Sequence, residues 1–449
     1  MMIRFRQTGW FILLALLPLI GKGQIRDTLR INLETALQVA LSDNPMIQIA
    51  DQEIKRVDYS KKEAWYGLIP TINASGQISK YAVSGRVSMF GMVMDNPANY
   101  TGSANLTLSL PLVVPALWKF IQMTELQMQM AVEQARASKI SLRSEVTKAY
   151  YQILLAQDSY HTLQDGYGLA KQNYEEALLR FNLELGSEYD CISAEVQMQN
   201  LIPAISQVEN GVAQAKMYLK VLMGVDIYIP LSVEGKLIDF EKNVMGSLFS
   251  QSITLDNNTD LIQLDIQQKQ LQKQLQLQQT QRLPTLAGFG RYGYSGTATN
   301  SINLPPEFGG APIPARKDLL PDGFIIGLQL NVPIFSGFTN ILKEKQIKVA
   351  AKTLSIRRDY VKDNLNLQAT AAMDNMSKAV EQMEASKKGI QLAEKGYTIS
   401  QERYNNDMGT MLELRSASQA LTQAKLSYNQ AIADYLIAKA DFEKVIGNN

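Results

Sequence analysis

The segment from Arg180-Phe181-Asn182 through Gly186 to Gly224 overlays Arg403-Tyr404-Asn405 through Gly409 to Gly447 at a constant offset of 223 residues, without a gap. A repeat of this length governs how every other segment is read, because each copy must fold as a comparable unit. Leu110-Pro111-Leu112 and Val332-Pro333-Ile334 are offset by 222, and Leu68-Ile69-Pro70-Thr71-Ile72 matches Arg282-Leu283-Pro284-Thr285-Leu286 at 214. The chain reads as a tandem duplication, 24-225 and 226-449, each copy running helix, strand, loop, strand, very long helix, turn, helix.

Two stretches carry no charged residue, Asn96 to Trp118 and Phe324 to Leu342. In the first, Ala104, Leu106, Leu108 and Leu110 alternate with Asn105, Thr107 and Ser109; in the second, Phe324, Ile326, Leu328, Leu330 and Val332 alternate with Ile325, Gly327, Gln329 and Asn331. Period two with proline stops at Pro111 and Pro333 predicts strands rather than membrane helices. The strands are expected at about 70-83 and 100-111 in the first repeat and at about 284-296 and 323-333 in the second. An apolar face opposed to a polar one over about 9–11 residues suits a membrane β-barrel. On alternation alone, a soluble half-buried sheet is the commoner outcome.

The helical parts carry a coiled-coil seam. Leu414, Ala417, Leu421, Ala424, Tyr428, Ala431, Tyr435, Ala438, Phe442 and Val445 step by three and four; so do Cys191, Ala194, Met198, Leu201, Ile205, Val208, Val212, Ala215, Leu219 and Leu222. Pro203 inside the first seam should kink its helix. The preceding helices, about Pro115 to Phe181 and Gly337 to Tyr404, are long enough to span about 100 Å. Each reaches a duplicated turn: Gly186 then Ser187-Glu188-Tyr189-Asp190, and Gly409 then Thr410-Met411-Leu412-Glu413. A glycine ending one helix, then a hydroxyl and a carboxylate three residues apart, predicts a capping-box start to the next. Each repeat is therefore expected to form a long helical hairpin, with tips near 186 and 409.

Composition removes other classes. With 44 Lys+Arg against 43 Asp+Glu there is no basic field to hold nucleic acid. His161 and Cys191, one of each kind, cannot build a metal site, and no disulfide framework is possible. His161 reads as a surface residue and Cys191 as a packed seam residue. No catalytic constellation and no cofactor is expected. Arg4 and Arg6 precede an apolar run from Trp10 to Ile20 and then Gly21-Lys22-Gly23, so residues 1-23 read as a cleaved signal peptide. The glycine-rich Gly288 to Tyr294 run sits inside a strand, with Tyr292 and Tyr294 placed as membrane-interface aromatics. Ser84 to Tyr100 and Gly296 to Asp322 read as external loops, where Pro305-Pro306 and Pro312-Ile313-Pro314 form either a pore cover or a stiff loop.

Four membrane-type strands cannot close a barrel alone, and an open edge in hydrocarbon leaves backbone groups unsatisfied, so the chain must assemble. The helical seams ask for lateral partners too. A periplasmic coiled-coil adaptor or a structural coiled coil is the rival reading. Against it stand the duplicated strand pairs.

On the duplication, the two strand starts Leu68-Ile69-Pro70-Thr71-Ile72 and Arg282-Leu283-Pro284-Thr285-Leu286, the strand ends Leu110-Pro111-Leu112 and Val332-Pro333-Ile334-Phe335-Ser336-Gly337, Asp43-Asn44-Pro45, and the hairpin tips followed by Ala194 and Ala417, the chain resembles the TolC-like outer-membrane efflux factor family. The resemblance covers essentially the whole mature protein. It implies an α+β membrane protein, a homotrimer whose four strands per copy make a twelve-stranded barrel in outer-membrane lipid, continuous with a periplasmic α-helical barrel. It also implies docking of the tips, at Gly186, Ser187, Gly409 and Thr410, to a periplasmic adaptor with an inner-membrane pump behind it. Cargo of an efflux or type I secretion system would then leave in one step.

The family's acidic periplasmic constriction matches Asp190 and Glu413, six carboxylates in a trimer, and Arg415 is placed to pair with an acidic neighbour there. Read by themselves, Asp190 and Glu413 favour a helix-capping role and Arg415 a solvated charge. The family often places its tip glycine about two residues earlier, where this chain has Glu184 and Asp407.

Overall fold

The computed structural model describes residues 28–83, 85–89, 92–95, 98–241, 253–303 and 312–448. The predicted signal segment, 1-23, lies outside them, as do Pro305 and Pro306 of the expected external loop.

The strands form one principal sheet. β1 (Leu29–Ile31) is followed by α1 (Leu33–Asp43), α2 (Pro45–Tyr66), β2 (Thr71–Lys80), a small hairpin of β3 (Arg86–Met89) and β4 (Met92–Asp95), and β5 (Ala98–Val113). Then come α3 (Pro115–Asn182), α4 (Glu188–Met223), β6 (Leu231–Val233) and a 3-10 turn at Leu237–Phe240. The second repeat supplies α5 (Thr259–Thr280), β7 (Thr285–Thr299), β8 (Ile302–Asn303), β9 (Pro312–Ile313), β10 (Lys317–Asn331), α6 (Thr339–Asn405) and α7 (Met411–Ile446). The four long strands pair antiparallel in the order β10-β7-β5-β2, so the repeats join at β5 and β7 in the middle of the sheet. β2 and β10 are its free edges.

The alternation gives this sheet two unlike faces. Register places Thr107 between Asn73 and Arg291, and Asn105 between Ser75 and Gly293. The other face carries Ile72, Leu106, Leu108, Tyr292, Phe324 and Ile326, with Phe324 68% and Ile326 75% exposed. A sheet with one face this apolar and this exposed suits lipid better than water.

Helices α3 and α6 have 68 and 67 residues, about 100 Å each. Toward the sheet the helices lie in the order α2-α3-α5-α6, and toward the tips in the order α4-α3-α7-α6. Where they exchange neighbours lies the main core, built of Tyr150, Ile153, Leu154, Leu219, Tyr435 and Phe442 among others. Each such side chain stabilises by about 1.5–3 kcal/mol. β1 and β6 pair in parallel beside this belt, and the Tyr150 hydroxyl donates to the Glu234 carbonyl.

The seam of α7 is buried along nearly its whole length. In α4, Cys191, Ala194, Met198, Leu219 and Leu222 are buried, while Leu201, Ile205, Val208, Val212 and Ala215 are only half-buried. The cause is position: α7 lies between α3 and α6, whereas α4 stands at the edge with α3 as its chief neighbour. α4 runs as one helix through Pro203.

Each repeat closes on its own beginning. Asn44 caps α2 through Met46 N–H at 2.7 Å, and its amide donates to the Leu222 carbonyl at 2.7 Å. Asn258 repeats this with Asp260 N–H at 2.9 Å and the Val445 carbonyl at 2.7 Å. Gly224 and Gly447 end α4 and α7 at φ 71° and 74°, where a side chain would collide with Asp43 and Asn44 or with Asn257 and Asn258.

Candidate functional site

The sites read from the sequence lie at the hairpin tips, at the far end of the helices from the sheet. Local chemistry sets each turn. Ser187 Oγ accepts from Asp190 N–H at 3.1 Å and donates to the Asp190 carboxylate at 3.2 Å. Thr410 Oγ1 accepts from Glu413 N–H at 3.2 Å. These hydroxyls satisfy free amides at the start of α4 and α7.

The glycines do not end the preceding helices as expected. The left-handed positions are Glu184 at φ 62° and Asp407 at φ 59°, the two places where the family resemblance calls for glycine. Leu185 N–H reaches the Arg180 carbonyl and Met408 N–H the Arg403 carbonyl, both at 2.8 Å, and this reversal requires a left-handed residue between. Gly186 and Gly409 serve instead for close approach: a side chain there would stand 3.1 Å from Arg180 Cβ or 3.0 Å from Arg403 Cβ.

Asp190 and Glu413 sit one on each hairpin. Arg403 Nη1 lies 3.7 Å from the Glu413 carboxylate, within one hairpin. Among the described residues Arg415 meets no acidic side chain; it donates to Ser193 Oγ of the other hairpin at 3.1 Å. Three residues given no site role in the sequence analysis make the firmer bridge. Arg180 pairs with Asp407, donates to the Tyr404 carbonyl at 3.0 Å, and stacks its guanidinium 5.0 Å from the Tyr404 ring. Burial raises the Tyr404 phenol, and nearby Asp190 adds to that rise. The offset of 223 links Arg180 to Arg403, so the pair was visible as duplicated arginines, though not that only the first would cross.

Below this bridge a second core joins the hairpins: Ala177 and Ala194 of the first with Tyr397, Tyr404, Met411 and Leu414 of the second. Asn173 is buried within the seam; its carbonyl oxygen accepts from the Tyr397 hydroxyl at 3.4 Å, while its amide nitrogen has no partner. His161 is exposed, its ring edge-on to Tyr160, and Cys191 is buried in the seam. Among the described residues no group of His, Cys, Asp and Glu could hold a metal, and no helix is long and apolar enough to cross a membrane.

The profile of the family described as outer membrane efflux protein matches residues 36–225 and 251–448, one match per repeat. Outer membrane protein TolC of Vibrio cholerae serotype O1 is 22% identical over 352 residues, which cover 77% of this chain and 76% of the relative. The crystal structure of the Campylobacter jejuni CmeC outer membrane channel superposes with TM-score 0.71 at 16% identity, over 92% of this chain and 85% of that one. VceC, an outer membrane protein of Vibrio cholerae, superposes with TM-score 0.72 at 12% identity, over 93% and 96%. A two-faced sheet continued by paired helical hairpins, matched repeat for repeat, identifies the chain as a member of the outer membrane efflux protein family, resident in the outer membrane as the exit duct of an efflux system.

Proposed function

We propose that three copies close into one duct, a twelve-stranded barrel in the membrane above an α-helical tube, which receives cargo from an inner-membrane pump through an adaptor seated on the hairpin tips. The observation that carries this is the pair of open sheet edges. β2 and β10 each expose a ladder of backbone groups beside an apolar face, and each such group unsatisfied in hydrocarbon costs several kcal/mol. β10 of one copy and β2 of the next run antiparallel when the order continues, so the ring closes without an edge.

The helices agree with the same closure. The free side of α6 shows Val349, Ile356, Tyr360 and Leu367, and the free side of α2 shows Ile49, Tyr59 and Tyr66. α2 runs toward the sheet and α6 away from it, so Glu63 of one copy comes level with Lys345 of the next. At the tips Leu185, Tyr189 and Met408 are exposed, an apolar surface of the kind a partner protein covers. Asp190, Glu413 and Arg415 are assigned to the periplasmic gate, the carboxylates facing the lumen and Arg415 tying the hairpins. In this duct the chain conducts and the pump supplies the energy.

Native mass spectrometry of the detergent-extracted protein tests the assembly. Three copies are expected. A folded monomer would leave the β2 and β10 edges open and overturn the closed duct.

A further inference from the structure

We infer that Arg291 forms a ring of three guanidinium groups inside the barrel, which draws anionic solutes into the membrane section of the duct; this rests on the trimeric reading above. Arg291 is the sole Asp, Glu, Lys, Arg or His within 71–79, 101–113, 285–297 and 323–331, the stretches of the four strands nearest the helices. Register fixes its side of the sheet. It stands opposite Thr107 on β5 and Ile325 on β10, on the face of Asn73, Asn105, Ser109 and Gln329. The opposite face is the lipid-facing one, so Arg291 points into the lumen.

Among the described residues nothing neutralises it. Arg291 is exposed and forms no ion pair among the described residues. The carboxylates on its face lie farther along the strands: Asp322 accepts from Ser295 Oγ at 2.5 Å, and Asp318 lies 3.9 Å from Arg316. Ser295 is four residues beyond Arg291, about 13 Å away. Next to Arg291 on the same face, the Phe289 ring lies across Gly327, where a side chain would come within 2.7 Å of it. The glycine thus leaves room for an aromatic surface beside the guanidinium.

Magnitudes decide whether three such charges act together. Twelve strands about 4.8 Å apart and tilted about 40° close at a radius of about 12 Å. The screening length is about 30 Å at 0.01 M salt and about 3 Å at 1 M. The three fields therefore fill the lumen at low salt and are confined to the wall at high salt.

The test is the chloride-to-potassium permeability ratio of the full-length trimer in planar bilayers of neutral phosphatidylcholine, under a tenfold KCl gradient. At 0.01 M against 0.1 M, Arg291→Gln should lower the ratio at least threefold, Arg291→Glu should lower it further, and Arg291→Lys should restore it. The differences should vanish near 1 M. Conducting channels whose ratio is the same in Arg291→Gln as in the parent would overturn the ring while leaving the duct intact. A folded preparation that stays monomeric in native mass spectrometry would overturn the duct reading, and the ring with it.

Discussion

Arg180, near the end of α3, crosses from the first hairpin to the second and pairs with Asp407, the residue that holds the left-handed turn there. The arginine is nearly buried while the aspartate is largely exposed, so the guanidinium is committed to this geometry. Arg180→Ala removes the ion pair, a carbonyl contact and the stack on Tyr404, about 1–2 kcal/mol of tip stability. Faster protease cleavage at both tips and a higher mean current in bilayer recordings are expected. Unchanged cleavage would show that the hairpins are held together lower down.

The two left-handed residues separate strain from bonding. Glu184 occupies that region with no ion pair among the described residues, and Glu184→Gly should raise stability by roughly 1 kcal/mol. Asp407→Gly relieves the same strain but forfeits Arg180, so it should gain nothing. Thermal unfolding in detergent of the two variants side by side checks the difference.

Asn44 and Asn258 each cap a helix and bind the last carbonyls of another. Asn44→Ala or Asn258→Ala should cost about 1–3 kcal/mol. Gly224→Ala and Gly447→Ala should cost more, because the new methyl meets backbone that cannot yield and the φ is unfavourable as well. The yield of folded protein extracted from membranes would report both.

Asp190→Asn combined with Glu413→Gln should raise the chloride-to-potassium permeability ratio at low salt. An unaltered ratio would place both carboxylates outside the lumen and leave them as partners of the capped turns.

The equatorial belt should respond to acid. Lys387 donates to the Glu241 carboxylate at 2.5 Å, and this bond, against the opposing effect of burial and with help from Tyr428, holds the Glu241 carboxyl below its usual 4.5. The folded value lies below the unfolded one, so the stabilisation is complete above about pH 4.5 and is lost as pH falls through the depressed value. Lys387 is half exposed, which limits the effect to under about 1 kcal/mol. Tyr428, its phenol pushed up to about 12 chiefly by burial, stays neutral throughout. Glu241→Gln should lower the unfolding temperature slightly at pH 7 and flatten its fall on the acid side.

The fold class was legible because its signals are local and periodic. Leu106, Leu108 and Leu110 against Asn105, Thr107 and Ser109 state a two-faced strand, and the step of three and four from Leu414 to Val445 states a packed helix. Which strands pair across the repeats was not legible, since the β5 to β7 contact joins residues nearly two hundred positions apart and leaves no short-range pattern. The tips show the same division. Ser187 and Thr410 announce their capping roles through spacing alone. Arg180 crossing to Asp407, and Arg415 reaching Ser193, depend on how two hairpins lean together. The left-handed turn at Glu184 and Asp407 is indicated only by the resemblance, because in this chain glycine, the residue that normally marks it, stands two positions later.

Each repeat ends where it begins, Gly224 against Asn44 and Gly447 against Asn258. A half-length chain could make that closure by itself, without the other half. Joining two such halves in one chain grants a freedom that two identical copies lack: the neighbours can differ. Arg180 and Arg403, equal by descent, now hold different partners, one across the hairpins and one within its own, so the two tips of a single chain are fastened in two different ways.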